Sequence, residues 1–399
     1  MRTFTGHLPG TRAYRRLLVG MFFAGIATFA QLYSTQAVLP SIAAEFDASA
    51  ADVALTVSAT TLGVAGAVLG WSAVADRIGR TRAMAIGIVA ATTLALLAPL
   101  APTLGALIAV RLGEGIALGA VPAIALAYLA EEVAPEHTAS AAGSYIAGTT
   151  VGGLVGRLVT GPFGDIEQWR LGVFAAALVC ALSAALFLRL TPPAQGFTRR
   201  ATRGIGHAIA VNLRDQHQIS IYLQGFLLMG GFVAVFNYLG FRLTAAPFHL
   251  PAWLVSLLFL AYLAGSVSSP WAGRAARRFG RRPVLFVSLA LTAAGAALTV
   301  VDPLPLVLIG LLVFTAGFFG AHTVLSSWAP ASARPEARAQ AASLYYLGYY
   351  GGSSLFGWAL GLPFAALGWP AVAWGVTGMV LLAAAASLLL RRTPASHPA

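Results

Sequence analysis

In LIAVRLGEGIALGAVPAIALAYLA, residues 107–130, two charged side chains stand three positions apart in an otherwise apolar run: Arg111 and Glu114. A charge at the centre of a membrane-spanning helix costs about 3 kcal/mol on insertion scales. Such a pair therefore marks either a function or a fixed bond. Residues i and i+3 share a helix face, so the two can pair with each other or face one cavity. The chemistry open to the carboxylate is reversible protonation. Arginine holds it ionised until substrate or a conformational change weakens the pair. Glu114 is the one acid inside an apolar stretch; the other acids fall in turns or at span ends. The competing reading is a permanent ion pair that locks this helix into its bundle. His322, in a later apolar run, is a second group able to titrate near neutral pH; its alternative is a hydrogen bond to a nearby serine or carbonyl. No nucleophile–base pair is visible, and no Cys/His cluster has metal-ligand spacing, so an enzyme, a metal or a cofactor has no support. The single cysteine, Cys180, precludes an intramolecular disulfide.

The elements that must position these groups follow from composition. Of 399 residues, 58% are hydrophobic and 10% charged, with mean hydropathy +0.79. A soluble domain carries about a quarter charged residues, so the chain reads as an all-α integral membrane protein. A span needs about 20 apolar residues. Twelve such stretches lie near 17–39, 53–72, 83–101, 105–129, 139–162, 170–190, 219–240, 252–272, 284–301, 304–328, 341–362 and 369–390. They divide into an N-terminal half, 1–190, a polar linker, 191–218, and a C-terminal half, 219–399. The first stretch follows Arg12, Arg15 and Arg16, but it is too long for a signal peptide and lacks a small-residue cleavage site.

The formal charge of +12 suggests nucleic acid until the arginines are located. There is no lysine, and all arginines except Arg111, Arg157, Arg170 and Arg242 fall in the termini, the linker or alternate turns. Those segments share one side of a twelve-span protein. The positive-inside rule makes that side the cytoplasm, with both termini inside. The basic charge is therefore a topology signal, and nucleic acid is not an expected partner.

The chain also repeats itself. PEHTASAAGSYIAGTTVG (135–152) aligns without gaps to PEARAQAASLYYLGYYGG (335–352), pairing Pro135/Pro335, Glu136/Glu336, Tyr145/Tyr345, Gly148/Gly348 and Gly152/Gly352. One residue out of that register, DRIGR (76–80) aligns to RRFGR (277–281). A period of half the chain predicts two six-helix halves around a binding site near the bilayer midplane. The turns need Gly79 and Gly280 for a tight backbone. Their arginines can pair with acids at neighbouring helix ends, and Asp76 can sit at a helix N-terminus.

These turns resemble the signature of the major facilitator superfamily. Asp76, Arg77, Gly79 and Arg80 match in the first half, and Gly273, Arg278, Gly280, Arg281 and Arg282 in the second, where Arg277 replaces the acid. The resemblance makes Asp76, Arg77, Gly79, Arg80, Arg278, Gly280 and Arg281 a cytoplasmic gate, complete in the first copy only. RLGEGIALGA is similar to the fourth-span pattern of the drug:proton antiporter branch, with Glu114 where glutamine is common. GFLLMGGFVAVFNYLGFRL and GFFGAHTVLSSW resemble arabinose-efflux or inner-membrane multidrug permeases. The branch's antiporter motif is partly kept in Gly148, Gly152, Gly153, Gly161 and Pro162; close helix packing explains the same glycines. The resemblance implies a monomeric, proton-driven exporter of small amphipathic or apolar compounds in a bacterial inner membrane, working by alternating access. A dedicated sugar or metabolite exporter is the nearest alternative, and a channel is the alternative of another class.

An aromatic pocket with few polar groups suits such a substrate. Candidates are Gln31, Tyr33 and Gln36 in the first span, Arg157 in the fifth, Phe236 and Asn237 in the seventh and Tyr346 in the eleventh. Arg157, near Pro162, is expected to snorkel to the outer surface rather than touch substrate. The second half has no counterpart of Arg111 and Glu114; Leu311 and Leu312 occupy the register of Arg111. The first half is thus expected to couple protons and the second to shape the pocket.

Overall fold

A computed structural model of the chain describes residues 4–196 and 205–390. Arg2, Arg199, Arg200, Arg203, Arg391 and Arg392, used above for topology, lie outside the described residues. The fold is all-helical. In lipid each backbone N–H and C=O must be satisfied within its own segment, and long apolar runs meet that demand as helices. The long helices are α1 (Arg12–Leu32), α2 (Ala50–Ile78), α3 (Arg80–Leu97), α4 (Leu104–Glu132), α5 (Thr138–Thr160), α6 (Trp169–Leu190), α7 (Gln216–Thr244), α8 (Ala252–Phe279), α9 (Arg281–Leu298), α10 (Leu304–Ser332), α11 (Arg338–Ala359) and α12 (Trp369–Ala386). Ten of these segments are long and apolar enough to cross a membrane. The two that fall short of that apolarity, α5 and α11, are the repeated pair rich in Gly, Ser, Thr and Tyr.

The chain forms two compact units, Met1–Ala48 with Ala59–Ala201, and Ser49–Ser58 with Thr202–Ala399. Within the first, α1 packs closely on α5. A Cβ on Gly148, Gly152 or Gly156 would collide with the backbone of Phe22, Ile26 or Ala30 respectively. Four-residue spacing places these glycines on one stripe of α5, and the stripe lets the two backbones touch. In the second unit Gly352 meets the backbone of Phe226 in the same way, joining α11 to α7.

The turns expected to need glycine have it in the left-handed region: Gly79 at φ 96° and ψ 154°, Gly280 at φ 89° and ψ 156°. The two halves also close their opposite ends alike. The ends of α3 and α9 leave carbonyls without intrahelical donors, and an arginine fills each gap. Arg170 donates to Pro99 O at 2.5 Å and Ala101 O at 2.9 Å. Arg242 donates to Thr299 O, Val300 O and Val301 O. Trp169 and Trp369, two hundred positions apart, donate through their indoles to Glu45 and to Thr299 O.

Two of the interrupted spans, α1 and α4, meet at the buried charges. α1 stops at Leu32; a turn over 33–35 leads to a short 3-10 segment, Gln36–Val38, and a further helix, Leu39–Phe46. The span read from sequence at 17–39 lies within one candidate span, Arg12–Phe46, but as a broken helix, because Arg111 of α4 takes over backbone carbonyls at the end of α1 and Arg157 of α5 holds the Gln36 side chain. α4 is interrupted at Gly119, and the indole of Trp71 takes the Ile116 carbonyl beside that break, at 2.7 Å.

Candidate functional site: a buried charge pair at the break in α1

The Arg111 guanidinium lies against the end of α1. Its Nη1 donates to Gln31 O at 2.9 Å and Ser34 Oγ at 3.3 Å, and its Nη2 donates to Leu32 O at 2.8 Å. These carbonyls belong to the last turn of α1, where regular helical bonding ends; Gln31 O also accepts the Ser34 backbone N–H at 3.1 Å. Nη1 also donates to Glu114 Oε2 at 2.7 Å. Both side chains are buried, at 1% and 0% exposure. Glu114 Oε1 has no hydrogen-bond partner among the described residues. The arginine is therefore held by backbone whatever the state of the acid, while the acid is held by the arginine alone.

The sequence reading of Arg157 is corrected. Arg157 does not snorkel: it is 0% exposed. Its Nε donates to Gln36 Oε1 at 2.7 Å and its Nη1 to Gly153 O at 2.5 Å, and its guanidinium stacks 4.2 Å over the Tyr33 ring. Buried acceptors inside the protein outcompete a route to the surface. Arg111 from α4 and Arg157 from α5 thus bracket the interruption of α1 from its two ends. Gln31, Tyr33 and Gln36, named above for substrate, are all buried at this break. Gln31 Nε2 donates to Thr92 Oγ1 at 3.2 Å, and the Cys180 thiol lies beside Gln31. Sequence reasoning missed Ser34 and Thr92 as partners, since neither has a spacing that announces it.

In the second unit the expected aromatic residues form a continuous packed cluster. Phe232 stacks on Phe318 with centroids 3.9 Å apart, and Phe236 stacks on Phe259 at 5.4 Å. Asn237 Nδ2 donates to Gly357 O at 3.0 Å, tying α7 to α11. His322 lies 2.8 Å from the Tyr345 hydroxyl through Nδ1, and its ring is tilted by 43° against Tyr349 with centroids 4.9 Å apart. Its partner is a phenol rather than the serine or carbonyl named as examples for the hydrogen-bonding alternative. Tyr346 is 40% exposed at the edge of this cluster. Leu311 and Phe314, two hundred positions from Arg111 and Glu114, are both buried, so the position of the charge pair is apolar here.

At the α2–α3 turn, Arg80 reaches Asp76 at 2.8 Å and Glu131, at the end of α4, at 3.0 and 3.2 Å. Asp76 sits in the last turn of α2 and pairs with Arg80, so its expected place at a helix N-terminus is corrected. The second-half turn has no equivalent latch among the described residues: Arg278 lies over Phe279 at 5.0 Å and Arg281 over Trp328 at 5.9 Å. One further anchor was not foreseen. Glu132 accepts from the backbone N–H groups of Gln195 and Gly196, both at 2.7 Å, and His7 lies 3.9 Å from its other oxygen.

A sequence profile of the Major Facilitator Superfamily matches residues 21–261 and 243–399. The chain belongs to that superfamily. It is a multi-pass membrane transporter and not an enzyme. It is 36% identical over 385 residues to the inner membrane transport protein YnfM of Escherichia coli, covering 96% of this chain and 92% of that one. It is 34% identical over 376 residues to the uncharacterized MFS-type transporter YybF of Bacillus subtilis, covering 94% and 93%. Its fold is similar to the crystal structure of nucleoside transporter NupG, with TM-score 0.75, 16% identity, and coverage of 94% of this chain and 99% of that one. It is similar also to a bacterial homologue of the human lysosomal transporter Spinster in an inward-facing, occupied conformation, with TM-score 0.76, 14% identity, and coverage of 95% and 97%.

Proposed function

We propose that this transporter exports small amphipathic or apolar compounds in exchange for protons, as a member of the drug:proton antiporter branch. The observation that carries the reading is the unequal anchoring of the buried pair. Arg111 keeps three hydrogen bonds to α1 and Ser34 without Glu114, whereas Glu114 has one bond in all and an unpartnered second oxygen. A carboxylate held by one partner in low dielectric is neutralised when that partner is weakened. The arginine need not leave the site for this to happen. Because Glu114 is 0% exposed here, loading and release of its proton fall to another conformation, which the rocking of two halves supplies. His322, beside Tyr345, is the second candidate for the proton path. Both termini and the Arg80 latch face the cytoplasm in this reading, and the chain works as a monomer.

The aromatic cluster from Phe232 to Tyr349, with few polar groups, suits a largely apolar ligand; Phe236, Asn237 and Tyr346 would shape its pocket. The test is transport in proteoliposomes. An imposed pH gradient should drive uptake of lipophilic dyes, a protonophore should abolish it, and unrelated apolar compounds should compete. Transport of a single saturable sugar, without such competition, would instead favour a dedicated metabolite exporter. Single-channel currents would overturn the carrier reading.

A further inference from the structure

The two halves repeat the same turn but not the same charges. In the first, Arg80 is buried and neutralised by Asp76 and Glu131. In the second, Gly280 reproduces the backbone of Gly79 to within a few degrees, so Arg281 stands where Arg80 does. The two acids are replaced: Arg277 aligns with Asp76, and Ala331 stands two hundred positions from Glu131. Arg281 is half-buried with its guanidinium over the Trp328 ring. Four more arginines lie within seven residues of it, from Arg274 to Arg282. Among the described residues none of the five has a carboxylate within 4.0 Å. Of the other acids in this half, Asp215 is engaged as the N-cap of α7, Asp302 pairs with Arg242, and Glu336 lies in the α10–α11 turn. A partly desolvated guanidinium beside like charges calls for an anion with several acceptor oxygens.

We propose that the α8–α9 turn binds a phosphate-class anion at Arg281, in the place that two carboxylates fill around Arg80. A phosphodiester offers the bidentate oxygens that arginine matches. Trp271 at 65% and Phe279 at 61% exposure flank the turn. Exposed aromatic rings beside arginines belong at the depth of lipid headgroups, which makes an anionic phospholipid the favoured source and free phosphate the other.

The proposal is tested with the full chain in nanodiscs of phosphatidylcholine, with and without phosphatidylglycerol. Thermal unfolding and retained lipid by native mass spectrometry are the readouts. Phosphatidylglycerol should raise the wild-type midpoint by several degrees, and Arg281→Gln should lose that rise and retain one lipid fewer. Arg277→Asp restores one of the two first-half carboxylates, the counterpart of Asp76. It should unfold later than wild type in phosphatidylcholine alone and gain little from phosphatidylglycerol, which keeps the test decisive if Arg281→Gln folds poorly. A matching rise in detergent with inorganic phosphate, lost in both variants, would support the site and assign the source to the free ion. Equal phosphatidylglycerol shifts in wild type and both variants, or no shift from either anion in wild type, would overturn the proposal.

Discussion

Arg111 and Glu114 are bonded to each other but not equally held, and that difference predicts unequal costs of removal. Arg111→Gln strips donors from Gln31 O and Leu32 O and leaves Glu114 buried without its countercharge. Breaking a buried pair from one side costs about 3–5 kcal/mol, so this variant should show a sharply lowered unfolding midpoint in detergent or no stable protein. Glu114→Gln keeps an acceptor for Nη1 and all of the backbone anchors. It should unfold close to wild type. Equal losses in the two variants would make the pair a simple lock. The two charges were legible in sequence because lipid tolerates few of them. What they hold was not legible: the partners are main-chain carbonyls of α1, which carry no residue signature. Arg157 was misplaced because its partner Gln36 comes from a separate segment that spacing alone does not bring near, while Gly153 O lies four residues back on α5 itself.

Helices in this protein meet through small residues and are closed by arginines. Any side chain on Gly152 would push α5 away from Ile26. Gly152→Leu should therefore abolish accumulation of folded protein, while Gly143→Ala, which has nothing within 4 Å of the added carbon, should leave yield and unfolding midpoint unchanged. Size-exclusion profiles of the two variants check this. At the other ends, Arg170→Gln removes donors from the carbonyls closing α3, and a loss of about 1–3 kcal/mol is expected from the unsatisfied acceptors, read as a lowered midpoint. The span positions needed only the apolar pattern or, for α5 and α11, the internal repeat. The interruption of α1 was hidden because LYSTQAV contains no glycine or proline to announce it; the break depends on side chains from α4 and α5 that reach it only in the folded chain.

Over the whole molecule, two halves with one architecture divide the chemistry unequally. The first carries the intramembrane acid, two buried arginines and the Arg80 latch; the second carries the aromatic cluster, with Leu311 and Phe314 in place of the charge pair. Arg80 joins the end of α2 to the end of α4, so Arg80→Gln should impair transport and lower the midpoint together, and Arg281→Gln in plain phosphatidylcholine should do neither to that degree. The shared architecture was readable from the repeat of 135–152 in 335–352; the divided chemistry shows only when the halves are compared position by position. The central claim is that Glu114 is the site at which protons are exchanged for substrate. Its most direct measurement compares wild type and Glu114→Gln in the same proteoliposomes, under an imposed pH gradient and in substrate counterflow without one. The account predicts that the variant loses gradient-driven accumulation while counterflow persists; gradient-driven accumulation at the wild-type rate would contradict it.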